Sequence, residues 1–175
     1  MSSNVLANLE QLVKDLKTLK DEITETSVSI LDYLDSMAYE ITEIGYSALY
    51  EGFRGYVISA RNVCNAAYRW ASTYQSALED YLSSPEKRGP FKFKKVFQDV
   101  EISQKYVTEY SLAFNQALDE VIFAISSATD YNKDLFEALA GEEFINEIAK
   151  YLNLLRQFQA TFNKFVDEAI KLSPP

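Results

Sequence analysis

Apolar residues recur every three or four positions along most of this chain, and that spacing restricts the fold more than any other feature. In the first segment the steps average about 3.6 residues, the period of a straight α-helix. Glycine and proline are scarce, at five and four residues, so few positions can end the helices. The first stripe contains Val5, Leu9, Leu12, Leu16, Leu19, Ile23, Ser27, Ile30, Leu34, Met37, Ile41, Ile44 and Ala48.

Three more stripes of the same period follow, and the four together predict an all-α protein, an antiparallel four-helix bundle. A hydrophobic content of 47% suffices for one core, so we expect a single domain over residues 1–175. The predicted helices cover approximately residues 4–50, 53–83, 94–130 and 132–172, with a break near Gly141. The third predicted stripe contains Val96, Val100, Ser103, Val107, Tyr110, Phe114, Ala117, Val121, Ala124 and Ala128.

Three local signals interrupt this helical pattern. The weak helix formers of Thr24–Ser29, together with two consecutive apolar steps of four, predict a kink or break in the first helix. Gly52 and Gly55 predict a tight turn between the first and second helices. Strand-like alternation of apolar and polar residues occurs only in the short run Phe91–Lys94.

The chain contains no histidine, and this absence removes much of the catalytic repertoire. Ser-His-Asp and Cys-His nucleophile pairs, zinc sites with histidine, and the Glu-x-x-His pairs of di-iron bundles all require that residue. The acidic residues that border the apolar stripes have no diagnostic spacing. We therefore predict a protein that is not an enzyme and that has no cofactor and no metal site.

Charge and cysteine content indicate where such a protein works. The formal net charge is −9, which opposes general affinity for nucleic acid because the phosphate backbone is repelled. The single Cys64 excludes an internal disulfide, and the sequence shows neither a signal peptide nor an apolar run long enough for a membrane span. We expect a cytoplasmic, or otherwise intracellular or virion, location.

A second aromatic stripe is the most informative candidate for function. Tyr39, Tyr46, Tyr50 and Phe53 step by seven, four and three, roughly opposite the core stripe of the first predicted helix. A helix at the edge of a bundle buries only one face, and tyrosine is enriched at protein interfaces. These four residues are our candidate partner-binding site. In the alternative interpretation, the fourth helix or the N-terminal arm covers this face.

A basic segment in the middle of the chain is the second candidate. Lys87, Arg88, Lys92, Lys94 and Lys95 lie close to the predicted start of the third helix, where the helix dipole disfavours cations. Either an acidic neighbour neutralises them or they bind an anion.

The sequence thus predicts a non-enzymatic protein that acts by protein–protein interaction or self-association, as a structural, virion or regulatory component. The expected partner is a second copy in a homo-oligomer or another protein. The alternative function is a nucleic-acid- or phosphate-binding module that uses the basic segment Lys87–Lys95.

Overall fold

Five α-helices and one β-hairpin make up the part of the chain that the structure describes. The computed structural model describes residues 2–83, 91–95 and 98–175, with side chains for residues 4–83 and 100–175. The elements in chain order are α1 (Ser2–Glu43), α2 (Ser47–Ser83), β1 (Phe91–Lys95), β2 (Gln98–Ile102), α3 (Gln104–Tyr131), α4 (Lys133–Ala140) and α5 (Glu142–Leu172).

The four long helices α1, α2, α3 and α5 form a four-helix bundle, which confirms the predicted all-α fold. Helix α1 packs against α2 and α5, and α3 packs against the same two helices, so α1 and α3 lie diagonally opposite each other. Each helix buries one apolar stripe at helical spacing. The stripe of α1 is buried as predicted at Leu9, Leu16, Ile23, Ser27, Ile30, Leu34, Met37 and Ile41.

The stripe predicted for the third helix is right only in its first half. Val107 and Phe114 are buried, but the buried positions then shift by one residue along α3. The core takes Leu118, Ile122, Ile125 and Thr129, whereas Ala117, Val121, Ala124 and Ala128 are only half-buried. Leucine and isoleucine bury more apolar area than alanine, so this rotation gives α3 the better contact with the core.

The turn between α1 and α2 lies at Gly45, and the prediction of a turn at Gly52 and Gly55 is wrong. Helix α1 ends at Glu43, and Gly45 has a φ of 88°, a region that L side chains rarely adopt. Gly52 and Gly55 are exposed positions inside α2. The predicted helix boundaries at residues 50 and 53 are therefore corrected to Glu43 and Ser47.

These glycines should respond to alanine with opposite signs. Gly45→Ala forces an alanine into a positive φ and should lower the free energy of unfolding by about 1–2 kcal/mol. Gly52→Ala should raise it by about 0.5–1 kcal/mol, because alanine favours a helix interior and an added Cβ meets nothing within 4 Å. Urea unfolding followed by circular dichroism measures both changes. A larger loss of stability for Gly52→Ala than for Gly45→Ala would show that the turn between α1 and α2 does not lie at Gly45.

The break predicted for Thr24–Ser29 does not occur, since α1 is continuous from Ser2 to Glu43. The hydroxyl of Thr24 donates to the carbonyl of Lys20 at 3.0 Å, and that of Ser27 donates to the carbonyl of Thr24 at 2.6 Å. Ser27 is also buried against α2, where an Arg61 Nη1 donates to its hydroxyl at 3.3 Å. Tertiary packing therefore overrides the weak helix propensity of this segment.

A β-hairpin precedes α3, so the prediction that the third helix begins at residue 94 is wrong. Strands β1 and β2 pair antiparallel, and α3 begins only at Gln104. Ser103 caps the helix because its hydroxyl accepts from the backbone N–H of Tyr106 at 3.1 Å.

The register of the hairpin separates apolar residues from charged ones. Phe91 stands opposite Ile102, and Phe93 stands opposite Val100. Val100 and Ile102 are buried, so this face of the hairpin closes the bundle at the start of α3. The residue between the two apolar positions is Lys92 in β1 and Glu101 in β2, and these two charged residues are paired in the register.

The opposite end of the bundle is closed by the short helix α4. It ends at Ala140, and the next residue, Gly141, has a φ of 87° and leads directly into α5. Phe136 of α4 is buried, with its ring centroid 5.3 Å from that of Phe53 on α2 and 5.3 Å from that of Phe144 on α5. The start of α2, the start of α5 and α4 therefore meet at one end.

Buried tyrosine hydroxyls connect helices across the core. Tyr151 of α5 donates to the backbone carbonyl of Val57 in α2 at 2.7 Å, and the two helices lie diagonally opposite each other. The Tyr74 hydroxyl lies 2.6 Å from the Ser173 hydroxyl, which joins α2 to the end of α5. Each hydroxyl is thus satisfied inside an otherwise apolar environment.

Candidate functional site

The four residues of the predicted aromatic face do not lie on one helix. Tyr39 is on α1, Tyr46 lies in the turn, and Tyr50 and Phe53 are on α2. Their spacing of seven, four and three suggested one face only because the first helix was assumed to reach residue 50. The structure keeps three of them near the surface of the α1–α2 turn and places the fourth in the core.

Phe53 does not belong to a partner-binding surface. Only 1% of its surface is exposed, and its ring makes edge-on contacts with Phe136 and Phe144, with centroids 5.3 Å and 6.4 Å away. Such aromatic contacts are typical of a packed core. The assignment of Phe53 to the candidate site is corrected: this residue stabilises the end of the bundle.

Tyr50 is half-buried and connects α2 to α1. Its hydroxyl donates to Oδ1 of Asp35 on α1 at 3.1 Å. Desolvation, followed by the neighbouring Asp35 carboxylate, raises the pKa of Tyr50 above its ordinary value, and the nearby Arg54 partly opposes this shift. Tyr50 is therefore less exposed than Tyr39 and Tyr46, and its hydroxyl is already hydrogen-bonded within this chain.

Three large apolar side chains project around the turn. Tyr39 is 76% exposed, Ile44 is 51% exposed and Tyr46 is 47% exposed. We call these three residues and Tyr50 the α1–α2 corner. Ile44 was predicted to lie on the core stripe, and it is exposed because α1 ends one residue earlier. A signal for this was present in the sequence, since Gly45 follows Ile44 directly.

The corner lies in a strongly acidic part of the chain. Eight acidic residues and no lysine or arginine occur between Lys20 and Arg54. A second acidic stretch, residues 130–147, contains six acidic residues and one lysine, and it lies at the same end of the bundle. Tyr33 of α1 shows this proximity, because its hydroxyl donates to Oε2 of Glu143 at 3.4 Å. Sequence analysis missed this feature by considering only the net charge.

A shallow, open depression of about 440 Å³ lies on the outer surface of α1, in the turns before Tyr39. It is lined by Glu25, Val28, Ser29, Asp32, Tyr33 and Ser36. Val28 is half-exposed at 48%, and it lies eleven residues before Tyr39 on the same side of the helix. Apolar and acidic side chains therefore alternate on the outer surface of the second half of α1.

The predicted basic site falls only partly within the described residues. Lys87 and Arg88 lie outside them, whereas Lys92, Lys94 and Lys95 are positions of strand β1. The register places Lys92 opposite Glu101 and Lys94 opposite Asp99. Opposite charges at directly paired positions stabilise an antiparallel sheet. For these two lysines, the hairpin thus supplies an acidic neighbour at the facing position.

Three further findings concern metal binding, the cysteine and membrane spans. Within residues 2–83, 91–95 and 98–175, no group of three or more Cys, Asp or Glu side chains is placed to hold a metal ion. Cys64 is buried in the core, and its burial raises the pKa of the thiol well above the ordinary value. The helices of the described chain include none with the length and apolar character needed to cross a membrane.

Comparison with known proteins adds no assignment. The chain matches no protein-family model, no curated protein and no solved structure.

Proposed function

We propose that this protein is a non-enzymatic interaction protein that docks a partner at the α1–α2 corner. The proposal depends on one observation: three large apolar side chains, Tyr39, Ile44 and Tyr46, are exposed within eight consecutive residues. Exposed apolar residues that are scattered singly need no explanation, but a concentrated group of them is typical of interaction sites. Tyrosine is well suited to such a site because it is large, rigid and tolerant of water at one end.

The other exposed apolar residues support this choice of surface. Outside the corner, each exposed large apolar residue of the described chain lies at least eight residues from the next one: Val28, Tyr56, Leu112, Phe123 and Tyr131. The corner instead combines its exposed side chains with a half-buried floor, formed by Tyr50. A partner that covers the corner would therefore bury two exposed tyrosines and an exposed isoleucine.

Site-specific photo-crosslinking tests the proposal. A photoreactive phenylalanine analogue replaces Tyr39 in one variant and Phe123 in another, and the protein is irradiated in the cells that produce it. The two positions are matched in exposure, at 76% and 73%, but lie on diagonally opposite helices. Position 39 should give an adduct with one defined protein, identified by mass spectrometry, and position 123 should not.

Two outcomes contradict the proposal. In one, position 39 gives no more adduct than position 123. In the other, both positions give the same mixture of proteins, as expected for random collisions. A copy of this chain attached at position 39 would identify the partner as the protein itself and would support self-association.

A further inference from the structure

We infer that the partner docked at the α1–α2 corner is a cationic amphipathic helix, which lies along the outer face of α1. This inference deepens the proposed function and rests on it. It combines three observations on the same surface: exposed apolar residues, an excess of acidic residues, and a shallow depression on the side of α1 that also carries Tyr39.

The charge of this surface selects a cationic occupant. Asp32, Glu40 and Glu43 are exposed residues of α1 close to the corner. The ion pairs of the described residues involve other carboxylates: Glu10, Asp21, Glu109, Glu137 and Glu168. An anionic or neutral partner that covered these three carboxylates would remove them from water without compensation. Lysine or arginine on the partner would compensate them and accelerate association.

The positions of the apolar residues select a helix as the docking element. Val28 and Tyr39 are separated by eleven residues, about 16 Å along α1, and lie on one side of it. Acidic residues Asp32 and Asp35 lie between them on that side. A partner helix of three to four turns with one apolar stripe flanked by basic residues matches this alternation, as in helix-in-groove recognition.

A second copy of this chain does not match the surface. Two corners that faced each other would bring two acidic surfaces together, which opposes a symmetric dimer. The exposed cations of α5, Lys150, Arg156, Lys164 and Lys171, offer charge of the right sign. However, α5, which the structure describes in full, exposes no large apolar side chain that could cover Val28 or Tyr39.

Synthetic helices serve as probes for this inference. The first probe is an 18-residue peptide of lysine and leucine with the leucines on one helical face. The second has the same composition with the leucines dispersed, and the third replaces every lysine by glutamate. Fluorescence anisotropy with the purified protein should show at least tenfold tighter binding of the first peptide than of either control. Raising the salt from about 50 mM to about 500 mM should weaken it at least tenfold, because salt screens exposed charges.

Charge-reversal variants distinguish a defined site from general attraction to an acidic protein. Asp32→Lys with Glu43→Lys should weaken binding of the first peptide at least tenfold. The matched control, Glu109→Lys with Glu120→Lys, makes the same change in net charge at exposed positions of α3, also eleven residues apart, and should leave binding within twofold. Circular dichroism confirms that both variants remain helical.

The inference is overturned if no probe binds, if the three probes bind equally, or if the two charge-reversal variants weaken binding to the same extent. The proposed function is tested separately from the inference. A partner crosslinked from position 39 that contains no cationic amphipathic helix would overturn the inference and leave the docking proposal intact, whereas the absence of an adduct there would remove the docking proposal itself.

Discussion

Phe53→Ala should lower the free energy of unfolding by roughly 3–5 kcal/mol, the usual cost of truncating a buried phenylalanine. Phe53 is 1% exposed, and its ring fills the space between Phe136 of α4 and Phe144 of α5. Removing it opens a cavity where three elements meet, and the surrounding side chains can close that cavity only in part. The measurement is urea unfolding followed by circular dichroism at 222 nm.

Tyr39→Ala is the matched control for that substitution. Both residues belonged to the same candidate surface in the sequence, but Tyr39 is 76% exposed and its loss should change the free energy of unfolding by less than about 0.5 kcal/mol. If Phe53→Ala does not fold, Phe53→Leu keeps the test open, with an expected loss of about 1–1.5 kcal/mol. Equal stabilities of the Phe53 and Tyr39 variants would show that Phe53 is not a core residue.

Alkaline pH should destabilise the protein steeply between about pH 10 and pH 12. Burial raises the pKa of Tyr74 to about 12 and that of Tyr110 to about 12, and it also raises the pKa of Tyr151. In the unfolded chain these tyrosines have the ordinary pKa of about 10. Between about pH 10 and pH 12 the folded state therefore binds more hydroxyl protons than the unfolded state. The stabilisation is complete below about pH 10 and is lost as the pH rises through the folded-state pKa.

A shift of two pKa units corresponds to roughly 2–3 kcal/mol for each of Tyr74 and Tyr110, so the total is comparable to the stability of a small domain. Urea unfolding midpoints measured from pH 8 to pH 11.5 test this. Tyr151→Phe should lose about 1 kcal/mol at pH 8, because its hydrogen bond to Val57 is absent, but its midpoint should fall less steeply above pH 10.

Tyr131→Phe provides the control for the alkaline experiment. Tyr131 is 90% exposed, so Tyr131→Phe measures the effect of removing a tyrosine that lies outside the core. A wild-type midpoint that stays constant up to pH 11.5, or an identical slope for wild type and Tyr151→Phe, would contradict the prediction.

The sequence predicts the bundle well because helical periodicity is a local signal. Leu9, Leu16 and Ile23 on α1, and Cys64 on α2, are buried where their spacing requires. In the second half of α3 the prediction failed by one position. Alternative stripes, Ala117–Val121 and Leu118–Ile122, both have helical spacing there, and only the contact with neighbouring helices selects between them.

The errors at the corner have a single origin, the wrong position predicted for the end of the first helix. Gly45, Gly52 and Gly55 all resemble stop signals, yet a glycine ends a helix only where the chain needs a positive φ, and this depends on how the next helix packs. Once the turn was misplaced, Phe53 was assigned to the surface and Ile44 to the core. The acidic surroundings of the corner, by contrast, could be predicted from the absence of basic residues between Lys20 and Arg54.

The missed hairpin shows a different limit. The alternation of Phe91–Lys94 was visible in the sequence. A run of four residues was, however, weaker evidence than the helical stripe through Val96, Val100 and Ser103. Its complement, the alternation of Asp99 to Ile102, becomes meaningful only through strand pairing. A hairpin is specified by the match between two segments, which periodicity within one segment does not detect.

The hydrogen bond from Tyr151 to the Val57 carbonyl restricts how α5 can be placed along α2. Smooth apolar stripes allow one helix to slide along another by a turn, about 5.4 Å, with little change in buried area. Such a slide would move the Tyr151 hydroxyl away from the Val57 carbonyl and break this buried hydrogen bond, at a cost of about 1–3 kcal/mol. This hydrogen bond and the one between Tyr74 and Ser173 thus favour a single longitudinal register of α5 against α2.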